Sequence, residues 1–326
     1  MIGNSQSPVK SLTLEFDDNR LLPQLFGSHN AHLARIEQEL DVSLNSKGNS
    51  VTISGLNELA ETASVVLNGL YARLKDGHDV DATEVDVALR MIAAGEKGKA
   101  VLMNTESHAV RTRKRHILPR SSQQALYLDA IDQSDLSFGL GPAGTGKTYL
   151  AVAKAVESLV KGEIDRVVLS RPAVEAGEHL GFLPGDMRDK VDPYLRPLYD
   201  ALHDMLPYNQ VATKIESGEI EIAPLAFMRG RTLGDAFVIL DEAQNTTPVQ
   251  MKMFLTRLGE NARMVVTGDL SQVDLPAGVT SGLWDAVGRL RGVKGVSFVE
   301  FSEADVVRHT LVTRIIKAYK KKHERN

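Results

Sequence analysis

Residues Gly141, Pro142, Ala143, Gly144, Thr145, Gly146, Lys147 and Thr148 follow the apolar run Leu136–Leu140 and lead through Tyr149 into a helical stretch ending near residue 159. Glycines at this spacing let a loop turn its backbone N–H groups inward around phosphate oxygens. A helix beginning at the loop's end adds partial positive charge. Lys147 has the reach and charge for the β- and γ-phosphates of a nucleotide, and a hydroxyl at Thr148 suits a Mg2+ ligand. Strand, glycine-rich loop and helix in that order is the context the pattern requires. Residues 141–149 are therefore the candidate nucleotide contacts, with ATP and Mg2+ as the implied ligands.

Two further strand ends carry polar groups. Phe237, Val238, Ile239 and Leu240 run into Asp241 and Glu242. Asp241 is placed to hold Mg2+ through its water shell, and Glu242 to polarise an attacking water. Taken alone, the two carboxylates could equally be a capping pair at a strand end. Met264, Val265 and Val266 run into Thr267, Gly268, Asp269, Leu270, Ser271 and Gln272. A neighbouring strand in such a sheet delivers a side chain to the γ-phosphate, for which Asp269 and Gln272 are candidates; the alternative is a plain turn.

The elements that must position these groups alternate. Apolar runs at 136–140, 167–169, 237–240, 264–266 and 296–299 are mostly separated by helical segments, which predicts an α/β domain with a parallel sheet covered on both faces. Ligands of such sheets bind at the carboxyl ends of the strands, where the groups above fall. Upstream, residues 1–103 predict a smaller α/β domain of order β-α-α-β-β-α plus one helix, with Asn57 and Asp81 as candidate helix caps. A basic linker at 104–120 carries Arg111, Arg113, Lys114, Arg115 and His116, either a solvated tether or a grip on phosphates. The larger domain spans 121–326 and ends in a basic tail with Lys317, Lys320, Lys321, Lys322 and Arg325.

Bulk properties narrow the class. The 326 residues are 43% hydrophobic and 25% charged with a formal net charge of -4, so any nucleic-acid contact must use a local basic patch. With no cysteine, disulfides and thiolate metal sites are excluded. The polar N-terminus does not resemble a signal peptide, and no apolar run approaches the roughly 18 residues of a membrane span. A cytoplasmic protein without a membrane partner is expected.

In their ordered set, these residues resemble a known family. Asp241-Glu242-Ala243-Gln244-Asn245 and Gly268-Asp269-Leu270-Ser271-Gln272 resemble the DEAQ-type and GD-x-x-Q motifs of superfamily 1 helicases. With the segments at 141–151, 170–186 and 305–312, they are similar to the PhoH family of bacterial ATPases over residues 117–315. The resemblance implies a RecA-like P-loop NTPase sheet, an adenine-contacting Gln124, and Arg171 at a position where helicases touch nucleic acid or relay motion. The smaller domain resembles the N-terminal region of long PhoH-like members and is similar in order to a KH RNA-binding module. Gly27-Ser28-His29-Asn30 stands between two helices where that module has its GXXG loop. Asn30 replaces the second glycine, with a side chain that tolerates unusual backbone angles. A KH-like fold serving only protein contacts is the alternative.

The resemblance implies an RNA-associated ATPase with helicase-like motifs, linked to ribosomal RNA processing, with a YbeY-type endoribonuclease as the partner the family suggests. A regulatory ATP switch acting on a protein partner is the second reading. A small-molecule kinase is the third, disfavoured because Asp241-Glu242 suits water as the nucleophile. One motor domain is expected to need a neighbouring subunit, so a homo-oligomer such as a ring is anticipated. Arg308 ranks first as an arginine acting across that interface; Arg229 and Arg231 follow.

Overall fold

The computed structural model describes residues 9–95, 99, 100, 102, 108–172, 187–307 and 315. The chain divides into two compact units, Met1–Ala109 with Leu118–Ala125, and Val110–Ile117 with Leu126–Asn326.

The first unit runs β1 (Val9–Glu15), α1 (Leu22–Phe26), α2 (Ala31–Leu40), β2 (Ser43–Lys47), β3 (Ser50–Leu56), α3 (Asn57–Lys75) and α4 (Ala82–Ala93). Its sheet is antiparallel in the order β1-β3-β2. Along β3, Val51 and Ile53 are buried between less buried neighbours, the period-two pattern of a strand with one covered face. That face shares a core with Leu33 and Ile36 of α2 and Leu67 and Leu70 of α3. Asp81 caps α4, accepting the Glu84 amide. Asn57 does not cap α3. β3 stays extended through Leu56, which takes the cap position with φ -60 and ψ 143 and leaves Asn57 as the first helical residue. Arg73 of α3 is buried and paired with Glu84; burial lowers its pKa, and the Glu84 charge opposes that shift.

Residues 27–30 connect α1 to α2 through a single 3-10 turn, Ser28–Asn30. His29 (φ 54) and Asn30 (φ 62) are both left-handed. Asn and His are among the few non-glycine types enriched in that region. Asn30 thus adopts a backbone conformation open to the glycine it replaces.

The second unit opens with a hairpin, β4 (Val110–Arg111) and β5 (His116–Ile117), within the stretch expected to link the domains. The elements that follow are α5 (Ser122–Gln133), which spans the boundary at residue 125, β6 (Leu136–Leu140), α6 (Lys147–Lys161), β7 (Arg166–Arg171), α7 (Met187–Met205), α8 (Tyr208–Glu216), β8 (Ile220–Pro224), β9 (Ala236–Leu240), α9 (Pro248–Leu255), β10 (Arg263–Gly268), α10 (Gly282–Leu290) and β11 (Val296–Glu300). The sheet order is β11-β6-β10-β9-β7-β8, parallel at every pairing. This is the α/β, RecA-like arrangement. Burial follows the order: β6 and β9 are buried at every position, whereas the edge strands β8 and β11 are only partly buried along most of their length. β8 escapes detection in the sequence because Ile220, Glu221, Ile222, Ala223 and Pro224 mix polar with apolar and end in proline, as an edge strand can. Within β6, Gly139 leaves room for the Tyr127 ring; an added Cβ would lie 2.8 Å from it. Among the described residues no helix is long and apolar enough to cross a membrane.

Candidate nucleotide site

The loop between β6 and α6 is shaped by glycines. Gly144 (φ 87) and Gly146 (φ 83) are left-handed, a conformation costing roughly 1–2 kcal/mol for a residue with a Cβ. Gly146 caps α6 with no side-chain bond, so no side chain competes for the first-turn amides. The Lys147 ammonium is buried in the mouth of the loop and donates to Gly141 O (2.6 Å), Pro142 O (2.7 Å) and Thr145 Oγ1 (3.2 Å). The loop is braced from outside as well: Gly141 N donates to Gly268 O (3.1 Å) and Val307 N to Gly144 O (2.9 Å).

The sheet order brings the acidic strand end beside this loop. β10 lies between β6 and β9, and β7 flanks β9 on the other side. Asp241, just past β9, accepts the Thr148 hydroxyl (2.6 Å) and the Thr267 hydroxyl (2.7 Å), both at Oδ1. Glu242 is left-handed at φ 52 and ψ 38, a strained backbone for a side chain of its type. Its Oε1 lies 3.2 Å from Arg171 Nη2, and its Oε2 accepts Gln244 Nε2 at 2.5 Å. Gln244 Oε1 in turn accepts the Asp269 amide (3.1 Å). Asp269 holds Gln272 through Oδ2 (2.6 Å) and Ser271 through Oδ1. A cavity of about 230 Å³ is lined by Lys147, Thr148, Asp241, Glu242, Asp269 and Gln272, together with loop glycines. Thr148 and Asp241 offer hard oxygen donors, the chemistry that suits Mg2+.

Most of the residues singled out in the sequence therefore line one pocket: Ala143, Gly144, Gly146, Lys147, Thr148, Tyr149, Asp241, Glu242, Asp269 and Gln272. Gly141 and Pro142 belong to the same loop through the Lys147 bonds, as does Thr145. Gln124 falls in the other compact unit; it is buried, and its Oε1 accepts the Arg120 amide. Arg308 lies outside the described residues, as do most of 170–186 and the basic residues of the tail. Arg229 and Arg231 are not presented together. Arg231 is clamped through both terminal nitrogens by Glu221, each at 2.6 Å, whereas Arg229 is exposed.

Several contacts could not be read from the sequence. Thr267 reaches Asp241, and Gln244 the Asp269 amide, only because β10 neighbours β9, and Arg171 reaches Glu242 because β7 does. Strand order is not encoded in any local pattern. Another is a chain from Tyr149 to Asp204 Oδ2 (2.7 Å) and from Asp204 Oδ1 to Arg115 (2.8 Å), which ties the helix after the loop to the basic hairpin.

A parallel sheet with a glycine-rich loop after one strand and a magnesium-type carboxylate two strands away defines the class: a P-loop NTPase fold. Within that class, the protein-family model described as "PhoH-like protein" matches residues 116–320, and the chain belongs to this family. The chain is 50% identical over 299 residues to the PhoH-like protein of Bacillus subtilis (strain 168), covering 92% of this chain and 94% of that one. It is 50% identical over 205 residues to Protein PhoH of Escherichia coli (strain K12), covering 62% and 58%. It is also similar to the crystal structure of an Arterivirus nonstructural protein 10 (helicase), at 22% identity and a TM-score of 0.28 over 53% of this chain and 36% of that one, a likeness too weak to carry an argument.

Proposed function

We propose that the protein is a Mg2+-dependent ATP hydrolase acting in RNA metabolism. The observation that carries the hydrolase reading is the Thr148–Asp241 bond of 2.6 Å, which brings the loop and the acidic strand end into one pocket with Lys147 and Glu242. Loop amides and Lys147 bind and neutralise the phosphates. Thr148 and Asp241 would hold Mg2+, which supplies further charge neutralisation when bound. Glu242 accepts the proton of the attacking water, and Gln272, held by Asp269 in the pocket lining, is placed to reach the γ-phosphate.

The RNA reading is supported by two features. Residues 27–30 offer an exposed left-handed turn in a β-α-α-β-β-α unit, and Arg111, Arg113, Lys114, Arg115 and His116 are exposed on or beside a hairpin. The test is phosphate release by the purified protein with Mg2+-ATP, with and without RNA over a salt series. Hydrolysis stimulated by RNA, with the stimulation fading as salt rises, supports the reading. Hydrolysis indifferent to RNA supports the second reading, a regulatory ATP switch. That reading has its own observation: both carboxylate oxygens of Glu242 are engaged by other side chains, as in a site that holds nucleotide more readily than it turns it over.

A homo-oligomer with Arg308 acting across the interface belongs to the same proposal. Mixing Lys147→Ala protein with Arg308→Ala protein tests it: activity regained in the mixture supports the trans role, and a mixed oligomer as inactive as its parents removes it.

A further inference from the structure

The geometry points to Arg171 as a cation with two alternative partners, Glu242 in the arrangement described and the γ-phosphate of ATP, so that ATP itself releases the catalytic carboxylate. The inference rests on the hydrolase reading with Glu242 as the base.

Arg171 closes β7, on the carboxyl side of the sheet where ligands bind, and β7 is hydrogen-bonded to β9 with Ser170 opposite Leu240. Its guanidinium is therefore delivered to the two residues that follow Leu240. Nη2 lies 3.2 Å from Glu242 Oε1, Nε lies 4.0 Å from Asp241 Oδ2, and Nη1 donates to Tyr194 O at 2.9 Å. It lines a second cavity, about 700 Å³, whose wall of Thr148, Tyr149, Asp241 and Glu242 is shared with the phosphate pocket.

The Arg171–Glu242 pair is a loose one. The same chain shows what a closed fork looks like: Arg231 meets both oxygens of Glu221 at 2.6 Å. Arg171 instead offers one nitrogen to one oxygen. A guanidinium has five N–H donors in a planar fork that matches phosphate oxygens two at a time. A γ-phosphate, with more charge and more acceptor oxygens than a carboxylate, therefore competes well for this cation.

Glu242 explains why the competition matters. One oxygen faces Arg171 and the other accepts Gln244. With one partner on each oxygen, the carboxylate has only one lone pair left on each to receive the proton of a water, and the cation beside Oε1 draws charge away from it. Transfer of Arg171 to a γ-phosphate frees Oε1. ADP has no γ-phosphate and leaves the pair closed. The same transfer gives up the bond to Tyr194 O, so the nucleotide state is reported to α7.

The test is equilibrium binding of Mg2+-ADP and of a non-hydrolysable Mg2+-ATP analogue to the wild type, Arg171→Ala, Glu242→Gln and the double variant. ADP affinity should be unchanged, within about two-fold, in all four. The analogue should bind roughly 10- to 100-fold more weakly to Arg171→Ala and roughly 5- to 20-fold more tightly to Glu242→Gln, because removing one partner of Arg171 favours the other. In the double variant, Glu242→Gln should no longer tighten binding. Tightening of equal size with and without Arg171 would mean simple repulsion between Glu242 and the phosphate, and would overturn the inference. So would analogue affinity unmoved by Glu242→Gln, which leaves Arg171 in place and needs no arginine variant to fold. Equal weakening of ADP and analogue in Arg171→Ala would make Arg171 structural only. A wild type that binds neither nucleotide would instead remove the hydrolase reading beneath it.

Discussion

Two loops of this protein use left-handed backbone, and they differ in what stands behind it. In the loop at 141–148, the unusual geometry is provided by glycines and is backed by a buried lysine, a hydroxyl and two carboxylates, each within hydrogen-bonding distance of another site group. In the turn at 27–30, His29 and Asn30 take similar angles, but the turn offers exposed Ser28, His29 and Asn30 with no acidic or lysine side chain among them. The first loop carries its chemistry within its own unit. The second offers a backbone shape, and any chemistry there comes from what it meets. Left-handed backbone alone is therefore a weak functional signal; polar groups converging from several strands make it a strong one.

The largest expected effect separates the two loops at once. Lys147→Ala should cut ATP hydrolysis by about 10³-fold or more, because the phosphate charge loses its buried cation. Asn30→Gly should leave hydrolysis without RNA unchanged. Steady-state phosphate release measures both, and a Lys147→Ala protein that works normally would erase the contrast.

Next in size is a stability effect confined to the first unit. Arg73 is 1% exposed, and its Nε has no partner among the described residues, so Glu84 is the group that offsets its burial. Glu84→Gln should destabilise that unit by about 3–5 kcal/mol. A thermal melt should show this while Mg2+-ADP affinity holds. A melt that does not move would mean the buried guanidinium has other support.

Backbone strain gives a smaller, local effect. Asn30→Val should cost roughly 1–2 kcal/mol, and Asn30→Gly close to nothing, since only the former penalises the left-handed turn. Chemical denaturation of the three proteins checks the order; equal stability for valine and glycine would show that the turn is not held in that conformation.

Acid should act on the second unit through α6. Burial would raise the Glu157 carboxyl, but hydrogen bonds from the Lys154 ammonium and the Arg111 amide, with Lys161, outweigh it and leave the pKa below its usual 4.5. A folded pKa below the unfolded one contributes stability above the unfolded value, and that stability is lost as pH falls through the folded value. The unfolding midpoint should therefore drop as pH is lowered below about 4.5, and Glu157→Gln should flatten that slope. An unchanged slope in the variant would assign the acid sensitivity to other carboxylates.

The RNA contribution of the hairpin should be smallest. Replacing Arg111 and Arg113 with alanine should weaken RNA binding modestly and shallow its dependence on salt by about one contact for each lost phosphate partner. Binding unchanged across the salt series would leave those arginines as solvated surface.

Much of this was legible in the chain, and the limits are physical. The loop at 141–148 and the acids at 241–242 are local patterns, and so is the alternation of strand and helix that made the parallel sheet predictable. The β-α-α-β-β-α order of the first unit follows from hydrophobic period and turn residues. Strand order does not. Arg171 sits far from Glu242 in sequence and next to it in the sheet, and nothing in residues 166–171 announces which strand will be the neighbour. β8 hides because an edge strand needs no continuous apolar run, and the hairpin at 110–117 because charged side chains on two-residue strands look like a tether. Asn57 misleads for a simpler reason: a good capping residue does nothing when the strand before it runs straight into the helix.

The central claim is that Glu242 is the base of an ATP-hydrolysing site built on Lys147, Thr148 and Asp241. The most direct measurement is a single-turnover experiment, with enzyme in excess over Mg2+-ATP, comparing the wild type with Glu242→Gln. The wild type should bind ATP and release phosphate. Glu242→Gln should bind it at least as tightly and release phosphate at least 10²-fold more slowly, as expected for loss of a proton acceptor. Phosphate release by Glu242→Gln at the wild-type rate would contradict the account.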